Sequence, residues 1–356
     1  MQMQKAAIGV VYDSAQAFNE VASALSGYFT FRKIPLHEYS ADGVLDGALN
    51  IFCVNISGAE TYERVKGAIK ICDSETLFVL PSHSGDSIKR LRQHTKADYF
   101  VLPLDVEEFR AAVKSSLNRP AEKAWSALEP AKQKALKSAV VSFEKCFNQV
   151  ATGGPVPIED LSSSCQDIRE AAELGGLDSW INALDNHHDY SFRHSMFVCG
   201  SLTYFAHAIG IRGPELDQLT LGGLLHDIGK CRIPLEILDK PGKLDHREWE
   251  NMKLHPVHSR EILQGENELG ADLIAMAVNH HEKIDGTGYP DGLSNGQITD
   301  HVRLTAIADV YSALIDKRAY KGSMTSESAL EMMSDFKGHL DLDLVREFRD
   351  FTLDKG

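Results

Sequence analysis

The chain has 356 residues, 43% hydrophobic and 25% charged, a length and composition that fit an ordinary globular protein of two domains. A formal net charge of −14 argues against sequence-general binding to DNA or RNA, which needs a basic face. No apolar run approaches the roughly 18 residues needed to span a bilayer, and the N-terminus MQMQKAAIGVVYDS does not read as a signal peptide.

Residues 1–119 alternate short apolar runs with amphipathic segments. The runs are Ala6–Val11, Leu49–Val54, Thr76–Leu80 and Tyr99–Leu102, rich in Val, Ile and Phe. Helical spacing is read around Ala15–Leu25, Thr61–Ile71, Ser87–Gln93 and Val106–Leu117. This alternation predicts an α/β domain with a parallel sheet covered by helices. Its layout resembles the flavodoxin-like receiver domain of response regulators, but the chemistry is poorly kept. Asn55 stands where a receiver carries its phospho-acceptor aspartate, the acidic pair is reduced to Tyr12-Asp13, and the Lys-Pro pair reads Leu102-Pro103. Asparagine cannot form an acyl phosphate, so the expectation is a receiver-like domain that is not phosphorylated and serves dimerisation or interaction.

Residues 120–154 read as a helical linker, rich in Ala, Lys and Glu and broken by GGPVP at 153–157. A homodimer through this helix or through the N-terminal domain is one expected partnership. A second helix follows over PIEDLSSSCQDIREAAEL, and the whole of 155–356 reads as an all-α domain. Six cysteines, Cys53, Cys72, Cys146, Cys165, Cys199 and Cys231, show no CxxC spacing and read as reduced thiols of a cytoplasmic protein.

The chemistry concentrates between 194 and 309. His226-Asp227 follows the apolar run LTLGGLL, His280-His281 ends AMAVNHHE, and Asp309 sits mid-helix in RLTAIADVYSAL. Polar groups are costly in such places unless they pair or coordinate. Together with His194 and His255 they form a set of imidazoles and carboxylates suited to Fe, Mn, Zn, Ni or Co. His37, His83, His94, His207, His246, His301 and His339 have no such pattern around them and read as surface or core residues.

The stretches HDIGKCRIPLEILDKPGKLDHREWENMKLHPVHSREIL, HHEKIDGTGYPDGL, RLTAIADVYSAL and KRAYK resemble, in order and spacing, the HD-GYP family of HD phosphohydrolases. The resemblance implies a helical bundle that hydrolyses a phosphodiester bond of cyclic di-GMP to pGpG, and on to GMP in some members. It implies two divalent ions, Fe or Mn in the first place. Asp227 would bridge them by its carboxylate, with His194, His226 and Asp309 completing one ion and His255, His280 and His281 the other, and a water shared by the two ions would be the nucleophile. Lys230 would hold or protonate the scissile phosphate, and Arg318 and Lys321 would receive the ligand's phosphate or guanine. Glu282 and Asp285 are candidates to fix the histidine tautomers. Gly288, Tyr289 and Pro290 form the GYP loop, expected either to meet a protein partner or to pack on the bundle.

Four positions depart from the family pattern. Tyr190 replaces a glutamate that supports a third metal in some members, which leaves an expectation of two. Ser312 replaces an aspartate three residues after Asp309. Arg-Pro-Tyr reads Arg318-Ala319-Tyr320, and Phe-Asp-Pro reads Leu340-Asp341-Leu342. The resemblance leaves open a module that senses the nucleotide without turnover, and an enzyme for another cyclic dinucleotide.

Overall fold

In the computed structural model the described residues are 8–26, 29, 31–39, 49–72, 74–185, 187–238, 240, 242–266, 268–316 and 324–354. The chain divides into two compact units between Lys123 and Ala124.

The first unit contains β1 (Ile8–Tyr12), α1 (Ala15–Leu25), β2 (Phe31–Pro35), β3 (Leu49–Cys53), α2 (Ala59–Ile71), β4 (Glu75–Leu80), α3 (Gly85–Arg92), β5 (Asp98–Val101) and α4 (Val106–Ala124). All four strand pairings are parallel, and the order is β2-β1-β3-β4-β5. This is the flavodoxin-like order of doubly wound sheets. Successive strand residues point to opposite faces, so Val10 joins a core with Phe18 and Val21 of α1 and Phe109 and Val113 of α4. Val11 joins a second core with Val65 of α2 and Leu91 of α3. Both faces are therefore covered, as parallel sheets require. Asn55 follows β3, and its N–H donates to the Asp13 carboxylate at 3.1 Å.

The second unit is helical: α5 (Pro130–Ala151), α6 (Ile158–Glu173), α7 (Leu177–Leu184), α8 (Tyr190–Ala208), α9 (Gly213–Leu225), α10 (Leu235–Leu238), α11 (His246–Met252), α12 (His255–Leu263), α13 (Ala271–Asn279), α14 (Asp300–Ile315), α15 (Ser326–Ser334) and α16 (Leu342–Asp354). A 3-10 turn at Ile228–Arg232 follows α9. The central element is α8. Every residue from His194 to Ala206 is buried, the signature of a helix apolar all round and enclosed by others. One side of α8 joins a core with α5, α6, α9 and α13; the other joins α14, α15 and α16.

The stretch 120–154, expected as a helical linker, falls within the second unit from Ala124 onward. A 3-10 turn at Trp125–Ala127 interrupts it, and α5 then buries Ala135, Leu136, Ala139, Phe143, Cys146 and Val150 in the same core as α6 and α8. An apolar stripe at helical spacing is stabilised by burial at roughly 25 cal/mol per Å² of apolar surface, so α5 belongs to the bundle. Among the described residues no helix is long and apolar enough to cross a membrane.

Candidate metal centre

Four helix ends and one helix interior converge on the site. His226 caps α9, His280 caps α13, His255 opens α12, and His194 lies in the first turns of α8. Asp309 comes from the middle of α14. Two groups form: His255, His280 and His281 on one side, and His194, His226 and Asp227 on the other.

Asp227 stands between the groups. Its Oδ2 lies 3.2 Å from His226 Nε2 and 3.5 Å from His194 Nε2. Its Oδ1 lies 3.3 Å from His255 Nε2 and 3.8 Å from His280 Nε2. Asp309 also reaches both, with Oδ1 3.1 Å from His194 Nε2 and Oδ2 3.7 Å from His281 Nδ1. The structure thus brings all seven of these residues together.

The histidines are oriented by main-chain carbonyls. His226 Nδ1 meets Gly223 O at 2.8 Å, His255 Nδ1 meets Met252 O at 2.8 Å, and His280 Nδ1 meets Ala277 O at 3.2 Å. A carbonyl only accepts, so each Nδ1 carries the proton and each Nε2 is left with a lone pair. These acceptors lie three residues before their histidines, among the carbonyls a helix end leaves without an intrahelical partner, and His280 Nδ1 also meets Met276 O, four residues before it, at 3.2 Å. Glu282 and Asp285 do not serve these rings. The Glu282 carboxylate accepts the N–H groups of Asp291 at 2.6 Å and Leu293 at 3.1 Å, and Asp285 accepts Thr287 N–H at 2.9 Å. Sequence reasoning looked for carboxylate partners; the signal it passed over was the position of each histidine just after a helical or turn segment.

The site fits divalent cations on its own terms. His226 Nε2 and Asp227 Oδ1 are buried and have no hydrogen-bond partner among the described residues. Atoms with lone pairs do not remain so in a protein interior without cost, and a cation between the two groups satisfies them. Protonation is disfavoured where ligands are needed. Burial lowers His255 to about 3 and His280 to about 4, and it holds His281 well below the ordinary histidine range, in each case against the opposing pull of Asp227 or Asp309. Burial also lowers His194, against the opposing pull of Asp309. His226 differs: burial lowers it, but Asp227 outweighs that and raises it. For Asp227, burial pushes the carboxyl up, and Lys230, His226 and His255 more than reverse this, holding it well below the usual carboxylate range.

Lys230 reaches the site through the 3-10 turn, where its N–H donates to Asp227 O at 2.9 Å. Its Nζ donates to Asp227 Oδ2. That turn packs so closely on α12 that a Cβ at Gly229 would lie 2.0 Å from His255 O and 2.6 Å from Ser259 N. The tight approach explains a glycine between the His-Asp pair and the lysine.

Tyr289 of the GYP loop lies against His281, with ring centroids 4.8 Å apart, and its N–H donates to His281 O at 3.3 Å. A Cβ at Gly288 would lie 2.4 Å from Glu282 Cα, so the loop passes close over the HHE segment. Pro290 follows through a cis peptide bond. Tyr190 opens α8 and stacks on His194 at 5.8 Å with planes 3° apart. Asp341 accepts from Arg303 Nη1 at 2.6 Å, and Leu340 is buried. Arg318 and Lys321, with Ala319 and Tyr320, lie outside the described residues.

Residues 178–344 match the HD-domain family model. His280-His281-Glu282 and Gly288-Tyr289-Pro290 are among the segments that carry the resemblance to the HD-GYP family. The chain is similar to a cyclic di-GMP phosphodiesterase of Pseudomonas aeruginosa, at 36% identity over 214 residues, 60% of this chain and 51% of that one. It is similar to a 3'3'-cGAMP-specific phosphodiesterase of Vibrio cholerae, at 43% identity over 182 residues, 50% of this chain and 34% of that one. Against a cyclic di-GMP phosphodiesterase of Thermotoga maritima the identity is 27% over 297 residues, covering 82% of this chain and 74% of that one. The chain spans about half the length of the Pseudomonas relative and about a third of the Vibrio one. Among solved structures, an HDG"Y"P protein from Bdellovibrio bacteriovorus shares the fold at 20% identity and a TM-score of 0.50, covering 76% of this chain and 88% of that one.

Proposed function

We propose that the second unit is a metal-dependent phosphodiesterase that opens cyclic di-GMP to pGpG. The observation that carries this is Asp227, whose two oxygens face two separate histidine groups. In this reading two divalent ions, Fe or Mn, would be held by His194, His226, Asp227 and Asp309 on one side and by Asp227, His255, His280 and His281 on the other. Tyr190 stands in place of a carboxylate at the start of α8 and supports a count of two. Bound ions of this kind supply Lewis acidity, lowering the pKa of water and polarising phosphoryl oxygens.

The chain's own residues do the rest. Lys230, held by Asp227, presents an ammonium beside the ligand set; burial works against its charge, and Asp227 outweighs burial and raises its pKa, so it stays cationic. A cation there pairs with the scissile phosphate and can return a proton to the departing ribose oxygen. Tyr289 and Gly288 wall the site beside His281. Arg318 and Lys321 are assigned to the second phosphate or a guanine on the family resemblance.

The test is turnover of cyclic di-GMP and of 3'3'-cGAMP by anaerobically purified protein carrying Fe(II) or Mn(II). Linear dinucleotide product is the expected result, and prolonged incubation without turnover of either sinks the reading. The relatives named for 3'3'-cGAMP make that nucleotide the second substrate to assay. We assign the first unit to a receiver-like module without phosphoryl transfer. Its strand order supports the resemblance, and Asn55 stands two residues beyond β3. The unit serves as an interaction or dimerisation element, and acetyl phosphate leaving its mass unchanged would agree with this.

A further inference from the structure

Ser312, one of the departures from the family pattern, is fully buried, and its Oγ has no hydrogen-bond partner among the described residues. A carboxylate appears one helical turn later. Asp316 ends α14, is 0% exposed, and donates its N–H to Ser312 O at 2.9 Å. Residues four apart on a helix share a face. The Asp316 Oδ1 accepts from Arg193 Nε at 2.8 Å, and Arg193 Nη1 donates to His187 O. Arg193 directly precedes His194, and Asp316 lies two turns beyond Asp309.

We propose that the Arg193–Asp316 pair is the positioning device of the metal centre, a carboxylate shifted one turn along α14 from the position that Ser312 has vacated. It locks α8 against α14 so that His194 Nε2 and Asp309 Oδ1 are held 3.1 Å apart. This rests on the metal-centre reading above. Stability alone is a poor account of the pair. Removing two charges from water costs about as much as their attraction returns, and apolar side chains of the same size do as well. A charge-assisted hydrogen bond instead fixes direction and register, which apolar contact does not. The pair joins the two helices that supply His194 and Asp309, and it contacts neither ligand's coordinating atoms.

The test titrates Mn(II) alone into the full-length wild type, Asp316→Asn and Arg193→Lys, with binding followed by calorimetry and folding by circular dichroism. Arg193→Lys keeps a cation opposite Asp316 and covers the case in which the asparagine variant does not fold. The expected result is two ions per chain in the wild type. In the variants one ion binds as before and the other binds roughly 10–100-fold more weakly, the usual effect of losing an outer partner of a metal ligand. Wild-type affinity for both ions in the folded variants overturns the proposal, whatever happens to the melting temperature. Equal weakening of both ions also overturns it, because general loosening does not choose between sites. A wild type that binds no Mn(II) overturns this proposal together with the metal-centre reading.

Discussion

The Nε2 of His194 lies 3.1 Å from the Oδ1 of Asp309, and the two residues, from helices α8 and α14, are 115 positions apart in sequence. That separation is the distance the bundle has to close to build one half of the site. Replacing Asp309 by Ala should therefore remove an ion and not merely weaken binding. We expect the metal content measured by plasma mass spectrometry to fall from two per chain toward one, and turnover to fall by more than about 100-fold, beyond the effect of losing an outer partner. Retention of both ions with normal turnover would contradict the role given to this carboxylate.

Lys230→Met separates charge from metal binding. The substitution keeps length and removes the ammonium. We expect kcat to fall by roughly 10²-fold or more, the usual scale for a positioned proton donor, with two ions still bound. A variant that turns over at the wild-type rate would show that the lysine only neutralises Asp227.

Gly229→Ala asks whether the His-Asp turn can yield. The added methyl would meet the His255 carbonyl and the Ser259 amide, both main-chain atoms. Overpacking of this kind costs about 1–3 kcal/mol, which corresponds to a drop of several degrees in a thermal melt of a bundle this size. An unchanged melt would mean that the 3-10 turn is softer than its geometry implies.

Glu282→Gln tests the loop independently of the metal ligands. The carboxylate accepts two main-chain N–H groups, and losing its charge should cost about 1–3 kcal/mol. Amide hydrogen exchange at Asp291 and Leu293 should accelerate while metal content stays at its wild-type value. Unchanged exchange at both amides would dissociate Glu282 from the loop.

Alkaline stability follows from the buried thiols. Burial pushes Cys146 and Cys199 up to about 12 and Cys231 up to about 11, against about 8.5 in an unfolded chain. The folded state therefore holds these protons more tightly than the unfolded state. The resulting stability is fully present below about pH 8.5 and is lost as the pH climbs toward 11–12. The urea midpoint should fall steadily from pH 8 to pH 10, and a flat profile would refute the assignment.

The sequence was informative where pattern and burial coincide. β1, β3 and β4 are apolar runs because both of their faces are covered, and the expected segments overlap them; β5, an edge strand, is only half-buried but still carries the apolar run Tyr99–Val101. β2 was missed for a physical reason: it is an edge strand with Arg32 and Lys33 exposed and only Ile34 buried, so Phe31–Pro35 presents no run to read. The candidate ligand set was legible because His226-Asp227 and His280-His281 stand at the ends of apolar segments, where polar pairs are out of place. The partners of those histidines were not legible, since the acceptors are main-chain oxygens of Gly223, Met252 and Ala277, and any residue type supplies a carbonyl. The partnership of Arg193 with Asp316 was equally silent, because it depends on how α8 and α14 are packed.

Those three carbonyls carry a consequence for how the site changes over time. A tautomer set by a carboxylate is lost with a single point substitution of that carboxylate. A tautomer set by the main chain survives any side-chain replacement that leaves the helix end in place. The orientation of His226, His255 and His280 is thus insulated from ordinary mutational drift, and the surrounding surface is free to diversify toward new ligands or partners while the imidazoles keep their aim.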